Sequence, residues 1–152
     1  MIRPAKVEDI TGIINLGSRL LDKSPVLPSH NPLKARKALA FFISGKKSCV
    51  FVSERQGEIV GFVIGIVDEY WWSEEQYVTD VGFFVDFNHR SSGAALARRL
   101  LKWAKQFKKV KYMSLGVSSG MDSIERTGKL YDKLGFEKAG GIYTKLLDGE
   151  IQ

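Results

Sequence analysis

A short turn at residues 90–95 has the composition of an anion-binding site. It consists of Arg90, Ser91, Ser92, Gly93, Ala94 and Ala95. The turn follows a strand-like stretch and opens a helix-like one, and the first amides of a helix are unpaired donors at the positive end of its dipole. The glycine and alanines let a ligand approach the backbone, while the serines and the arginine add donors and charge. A serine that only caps the helix would explain the same residues, so both interpretations stay open at this point.

A second group of residues has the composition of a cation-binding site. The stretch DEYWWSEEQ at residues 68–76 combines four carboxylates with one tyrosine and two tryptophans. Carboxylates attract an ammonium group and indole rings add cation–π contacts, so Trp71 and Trp72 are candidate substrate-binding residues for an amine. The alternative is a solvated hairpin whose tryptophans pack at the edge of the core or in a dimer contact.

Length and composition limit the class of protein. The chain has 152 residues, of which 44% are hydrophobic and 26% charged, as in a globular protein of about one domain. Its single cysteine, Cys49, excludes an internal disulfide and suits a reducing compartment. We find neither a signal peptide nor an apolar run long enough for a bilayer. We therefore expect one cytoplasmic domain over residues 1–152, with no membrane partner.

The net charge of +6 favours anionic partners. Nucleic acid, an anionic membrane and a phosphorylated cofactor would all be attracted to such a protein. Many of the cations lie in one predicted helix, at Arg98, Arg99, Lys102, Lys105, Lys108 and Lys109. That helix face lacks interleaved exposed aromatic residues, and the chain has no recognised nucleic-acid motif, so a basic nucleic-acid-binding domain is the weakest of the hypotheses.

The hydrophobic pattern predicts the elements that must position these residues. Helices are expected at residues 10–21 and 33–43, after residue 90, and at 123–135, with a proline-rich loop at 24–32. Strands are expected at residues 2–4, 48–54, 58–69, 77–87 and 112–117, and in a final hairpin at 136–147 that turns on Gly140-Gly141. The order β-α-α-β-β-β-α-β-α-β-β predicts an α+β fold, with a mixed α/β sheet, mostly antiparallel, flanked by helices.

Four segments in this order resemble the GNAT superfamily of N-acetyltransferases. The segment VDFNHRSSGAALARRLL resembles the family's acetyl-CoA motif, in which a strand ending in Val-Asp leads to Arg/Gln-x-x-Gly-x-Gly/Ala and a helix. LYDKLGF, at residues 130–136, is similar to the end of the family's later helix. IRPAKVEDI resembles its opening and GEIVGFV its third strand. The resemblance covers essentially the whole chain.

The resemblance implies a reaction and a way of binding its co-substrate. An acetyl group would pass from acetyl-CoA to a primary amine by direct attack in a ternary complex, with no metal. Backbone amides of residues 90–95 would hold the pyrophosphate, and the strand residues Phe83, Phe84 and Val85 would pair with the pantetheine arm. A backbone N–H of this strand would stabilise the oxyanion formed at the thioester carbonyl.

The resemblance also suggests two catalytic residues. Tyr131 occupies the place of the tyrosine that family members commonly use as the general acid for the departing thiolate, and this match favours the catalytic role over the alternative of a core aromatic between two leucines. A carboxylate on the strand before the phosphate turn often serves as the base, and Asp80 is the nearest candidate. Asp80 is one step out of the usual strand alternation, so it would face the wrong side of the sheet unless the strand contains a bulge.

Three departures from the family pattern motivate an alternative. Ile124 stands where the family often has an asparagine, Phe87 replaces a frequent proline, and Ala95 replaces the second glycine. The alternative is a non-catalytic acyl-CoA-binding or regulatory module on the same fold. The acceptor stays open among a protein N-terminus, a lysine, a polyamine, an antibiotic and a small metabolite, and a homodimer stays open as a partner.

Overall fold

A five-stranded sheet forms the centre of the protein. The computed structural model describes residues 1–22, 30–116 and 124–147. The strands follow one another across the sheet in chain order, as β1 Ile2–Pro4, β2 Ser48–Arg55, β3 Glu58–Glu69, β4 Gln76–Val85 and β5 Val110–Ser114. Neighbours from β1 to β4 are antiparallel, and β5 is parallel to β4. The predicted α+β class and the mostly antiparallel sheet are confirmed.

Local signals in the sequence account for the helix and turn boundaries. The helices are α1 Ile10–Leu21, α2 Pro32–Ser44, α3 Ser91–Ala104 and α4 Ile124–Lys133. Helix α2 begins where the Asn31 side chain accepts a hydrogen bond from the Lys34 amide at 3.1 Å. After α4, Gly135 has a φ of 89°, the left-handed conformation expected of a residue that ends a helix. Gln56 and Gly57 also have positive φ, which suits the two-residue turn between β2 and β3.

The helices cover the two faces of the sheet, and each face has its own apolar core. Helices α1 and α2 pack on one face through a cluster that includes Ile13, Leu16 and Leu20. Helix α3 packs on the other face through Leu96 and Leu100, both fully buried. Because the periodic apolar residues of each helix lie against the sheet, the cationic side chains of α3 are left mainly on the outside. None of the helices in the described ranges is long and apolar enough to cross a bilayer.

Strand β4 contains a bulge at Val81. Ile64 pairs with Gly82 but the next residue of β3, Gly65, pairs with Asp80, so Val81 is an extra residue on β4. Val78 and Phe83 consequently pack in the same cluster with α3, although an unbroken strand would place residues five positions apart on opposite faces. The bulge therefore brings Asp80 to the face of the sheet that carries Phe83.

Strands β4 and β5 separate part-way along their length. Their pairing ends at Thr79 and Ser114, whereas β4 continues to Val85. Among the described residues no strand pairs with this side of β4 beyond Thr79. The separation leaves a gap in the sheet with backbone donors and acceptors along one wall.

The predicted final hairpin does not occur in the described structure. Residues 136–147 form no strand, so the described element order ends at α4 and lacks the last two predicted strands. The side chains of Ile142 and Tyr143 are 90% and 100% exposed. Strand propensity depends on cross-strand packing, and none of the described strands pairs with this segment. Predictions for residues 24–29, 117 and 123 lie outside the described residues.

Candidate active site

A cavity of about 520 Å³ occupies the gap between β4 and β5. Strand β4 lines it from Asp80 to Val85, and Gly116, just after β5, lines the other side of the gap. The end of α1, the start of α3 and helix α4 complete the wall. The volume lies within the range of sites for small molecules and cofactors.

Asp80 and Tyr131 reach the cavity from two different elements and are bonded to the same residue. The Gly116 amide donates a hydrogen bond to Asp80 Oδ1 at 2.9 Å. The Tyr131 hydroxyl donates to the Gly116 carbonyl oxygen, also at 2.9 Å. A carboxylate from β4 and a phenol from α4 are thus held in a fixed relation across the gap. The bulge at Val81, which the sequence alone could not reveal, puts Asp80 in this position.

The surroundings raise the pKa of both the Asp80 carboxyl and the Tyr131 phenol. Burial raises the pKa of the Asp80 carboxyl, and the hydrogen bond from Gly116 opposes this only in part. Burial raises the pKa of the Tyr131 phenol well above its usual range, and the nearby Asp80 charge adds to the effect. Asp80 is therefore a stronger base than an exposed aspartate, and Tyr131 keeps its proton at neutral pH.

The start of α3 faces the same cavity through Arg90 and Gly93. Arg90 is the N-cap residue, and its side chain makes no capping hydrogen bond. The Arg90 guanidinium lies 5.4 Å from the centre of the Phe87 ring, a cation–π contact. Phe87 is the residue that stands where the family often has a proline. A helix start with no side-chain cap, next to an arginine, retains the properties of an anion site.

The two serines of the turn have different environments, and neither caps the helix. Ser92 is 2% exposed, and its hydroxyl lies 2.8 Å from the Ser53 hydroxyl. The expectation that both serines add hydroxyl donors for a phosphate is therefore corrected: Ser92 belongs to the core, and only Ser91 is exposed. The alternative that a serine caps α3 is also not observed.

The structure brings most, but not all, of the predicted site residues together. The cavity is lined by Asp80, Phe83, Phe84, Val85, Arg90, Gly93 and Tyr131. Four residues of the turn do not line it, namely Ser91, Ser92, Ala94 and Ala95. The amide of Gly93 donates to the Arg90 carbonyl oxygen at 3.0 Å, so it already has a partner within the turn.

Trp71 and Trp72 lie away from this cavity. They lie in the connection between β3 and β4, next to Gln76 at the start of β4, whereas the cavity lies toward Val85 at its end. Trp71 is 90% exposed and Trp72 is 66% exposed. With Glu69, Glu74 and Lys109 they line a separate surface hollow. The structure therefore does not join the acidic and aromatic stretch to the residues at the gap.

Family comparison agrees with the order and spacing of these elements. The sequence profile of the acetyltransferase (GNAT) domain matches residues 46–138, which span β2 to the end of α4. The chain belongs to the GNAT acetyltransferase family. The match includes the cavity residues of β4, α3 and α4, and membership supports an acyltransferase.

Solved structures share the GNAT fold along nearly the whole chain. A mutant of the BH1408 protein from Bacillus halodurans is 19% identical, with a TM-score of 0.76 and coverage of 97% of this chain and 99% of its own. Glucosamine-6-phosphate N-acetyltransferase from Arabidopsis thaliana is 17% identical, with a TM-score of 0.74 and coverage of 97% and 98%. Ribosomal-protein-alanine N-acetyltransferase from Brucella melitensis biovar Abortus is 16% identical, with a TM-score of 0.72 and the same coverage. At these identities the likeness establishes the fold, and no curated protein sequence matches the chain.

Several residues at the cavity of this GNAT domain escaped the sequence analysis. They are Leu20, Leu21, Val81, Gly116, Arg126, Thr127, Leu130 and Ile142. Thr127 is four positions before Tyr131, so helical periodicity could have placed it on the same face of α4. Gly116 carried no signal, because its role depends on where β5 ends relative to β4.

Proposed function

We propose that this GNAT domain transfers an acetyl group from acetyl-CoA to a primary amine by direct attack in a ternary complex. The observation that carries the proposal is the pairing of Asp80 and Tyr131 through Gly116, which sets a proton acceptor and a proton donor at one point of the gap. An amine that attacks a thioester must lose one proton, and the departing thiolate gains one on becoming a thiol, so a base and an acid placed together would assist both transfers.

The walls of the cavity suit the co-substrate. Between Asp80 and Val85 the side of β4 that faces the gap offers main-chain groups with which the amides of a pantetheine arm can pair as an added strand would. The start of α3 and the Arg90 guanidinium supply positive charge for the diphosphate. The remaining turn residues, Ser91, Ser92, Ala94 and Ala95, do not line the cavity, so the proposed diphosphate site is limited to Arg90 and Gly93.

Asp80 is proposed as the base. An alkyl ammonium has a pKa near 10, so only about one molecule in a thousand is neutral at pH 7. The neutral amine is the form that attacks, and as its nitrogen bonds to the acetyl carbon, Asp80 would accept the one proton that the nitrogen then loses. The raised pKa makes Asp80 a stronger base, and the carboxylate stays ionised as long as the pH is above this pKa.

Tyr131 is proposed as the acid. When the bond between the acetyl carbon and sulfur breaks, its hydroxyl would donate a proton to the thiolate of CoA. Since a thiol has a pKa of about 8.5, this donation helps the step without being indispensable. Trp71 and Trp72 are not included in the proposed site, because they lie at the other end of β4.

Thiol release tests the proposed function. The full chain is mixed with acetyl-CoA and a panel of primary amines, and free CoA thiol is measured over time. Amine-dependent release that falls in both Asp80→Asn and Tyr131→Phe supports the proposal. Acetyl-CoA that raises the melting temperature without thiol release from any amine would instead support the non-catalytic acyl-CoA-binding module.

A further inference from the structure

The cavity has two sides that belong to different faces of the sheet. Phe83 and Val85 pack with the α3 cluster, and this side includes the anion-binding start of α3. Phe84 packs with the α1 and α2 cluster, on the opposite face. If the co-substrate takes the α3 side, the space left for the acceptor is the side formed by α1.

The α1 side of the cavity is apolar. It is lined by Leu20 and Leu21 at the end of α1, together with Phe84 and Phe87. Two further apolar residues, Val81 and Ile142, also line the cavity, and both are exposed. Apolar side chains that face an open cavity gain free energy when an apolar ligand group covers them. This wall is suited to a hydrocarbon or aromatic group.

The charges at the cavity do not suit a polycation. Among its described lining residues the ionised groups are one carboxylate, Asp80, and two guanidinium groups, those of Arg90 and Arg126. One carboxylate can neutralise one ammonium group, so a second ammonium of a polycation would meet no second carboxylate among these described lining residues.

From the apolar wall and the single carboxylate we infer that the acceptor is a monoamine on an aromatic or aliphatic group, and not a polyamine or an aminoglycoside. This inference rests on the proposed function. The ammonium group would reach through the gap to Asp80, which lies on the Phe83 face of β4, while the apolar substituent would lie on the α1 side against Leu21 and Phe84.

Three amines test the inference in the full chain with acetyl-CoA. Phenethylamine offers one ammonium and a ring, ethanolamine offers the ammonium without the ring, and spermidine offers several ammonium groups. Burial of the ring predicts a kcat/KM about ten- to a hundredfold higher for phenethylamine than for ethanolamine. A higher kcat/KM for spermidine or kanamycin than for phenethylamine would overturn the inference.

A binding measurement separates the inference from the proposed function. With saturating CoA in place of acetyl-CoA no transfer can occur, and phenethylamine is expected to raise the melting temperature further while spermidine is not. Binding of phenethylamine without turnover in the first assay would leave the acceptor class standing and refute the transferase. Turnover with polycations alone would support the transferase and refute the proposed acceptor class.

A matched pair of variants tests the wall itself. Leu21→Glu puts a second carboxylate at the half-buried end of α1, whereas Val7→Glu makes the same charge change at an exposed site before α1. Leu21→Glu is expected to lower kcat/KM for phenethylamine at least tenfold and to shift the preference toward spermidine. Val7→Glu is expected to keep kcat/KM for each of the two amines within twofold of the wild-type value. An equal change for both amines in Leu21→Glu would show that this side does not select the acceptor.

Discussion

Asp80 and Tyr131 are both hydrogen-bonded to the backbone of Gly116. The Gly116 amide donates to the Asp80 carboxylate and the Gly116 carbonyl oxygen accepts from the Tyr131 hydroxyl, each at 2.9 Å. The two side chains come from β4 and α4, and the two residues are 51 positions apart in the chain. Their shared partner follows β5, so three elements fix the distance between the proposed base and the proposed acid.

Tyr131→Phe removes the proposed proton donor while keeping the ring, which lies 5.8 Å from the Phe136 ring. We expect kcat to fall about a hundredfold, the lower end of general-acid effects, with unchanged affinity for acetyl-CoA. Steady-state kinetics and calorimetric titration measure the two quantities. Tyr143→Phe is the control, since that tyrosine is fully exposed. Equal losses of turnover and of co-substrate affinity would assign Tyr131 a structural role.

Asp80→Asn removes the proposed base but keeps an oxygen that can accept from the Gly116 amide. Because the ionised carboxylate is the active form, kcat of the wild-type protein should decline as the pH falls through the raised pKa of Asp80. The variant should be about a hundredfold slower and should lose this acidic limb. A limb that persists in Asp80→Asn would assign the titration to another group.

Folding stability should respond to the same substitution with a defined sign. The pKa of Asp80 is raised in the folded protein, so the ionised form is disfavoured there. This loss of folding stability is absent below the pKa that Asp80 has in the unfolded chain. It grows as the pH rises through the higher pKa that Asp80 has in the folded protein. Asp80→Asn should therefore raise the melting temperature at pH 7 and change it little at pH 3, as differential scanning calorimetry can check. A larger gain at pH 3 would contradict the raised pKa.

Gly93→Ala should separate folding from co-substrate binding. An added Cβ would lie 3.7 Å from Leu130 Cδ2, an ordinary contact, and alanine favours the helix by up to about 1 kcal/mol over glycine. The methyl group would project into the cavity, so we expect a higher melting temperature and a weaker Kd for acetyl-CoA. Gly128→Ala in α4 is the control, because its Cβ would meet no atom within 4 Å. Unchanged affinity in Gly93→Ala would place the diphosphate elsewhere.

Cys49 should be unreactive in the folded protein. Burial raises the pKa of its thiol to about 12, so very little thiolate exists at neutral pH. We expect a disulfide reagent such as Ellman's reagent to modify the protein only after denaturation. Rapid reaction of the native protein would show that the core around β2 opens. The same property keeps Cys49 from contributing to assays of thiol release.

The sequence by itself determined the local elements. The hydrophobic pattern predicted α1 and α2, the two strands at residues 48–54 and 58–69, and a helix that ends near residue 135. Four short segments in order, among them the turn at residues 90–95, were enough to predict the GNAT family. These features depend on residues within one or two turns of one another, so a single segment carries the information.

The tertiary structure decided which residues meet. Only strand register revealed the bulge at Val81, which turns Asp80 toward the cavity. Only packing revealed that Ser92 is bonded to Ser53 in the core, and only topology placed Trp71 and Trp72 at the far end of β4. The lack of a partner strand kept residues 136–147 out of the described sheet. Register, burial and strand partners depend on residues far apart in the chain, and their local sequences carry no record of these contacts.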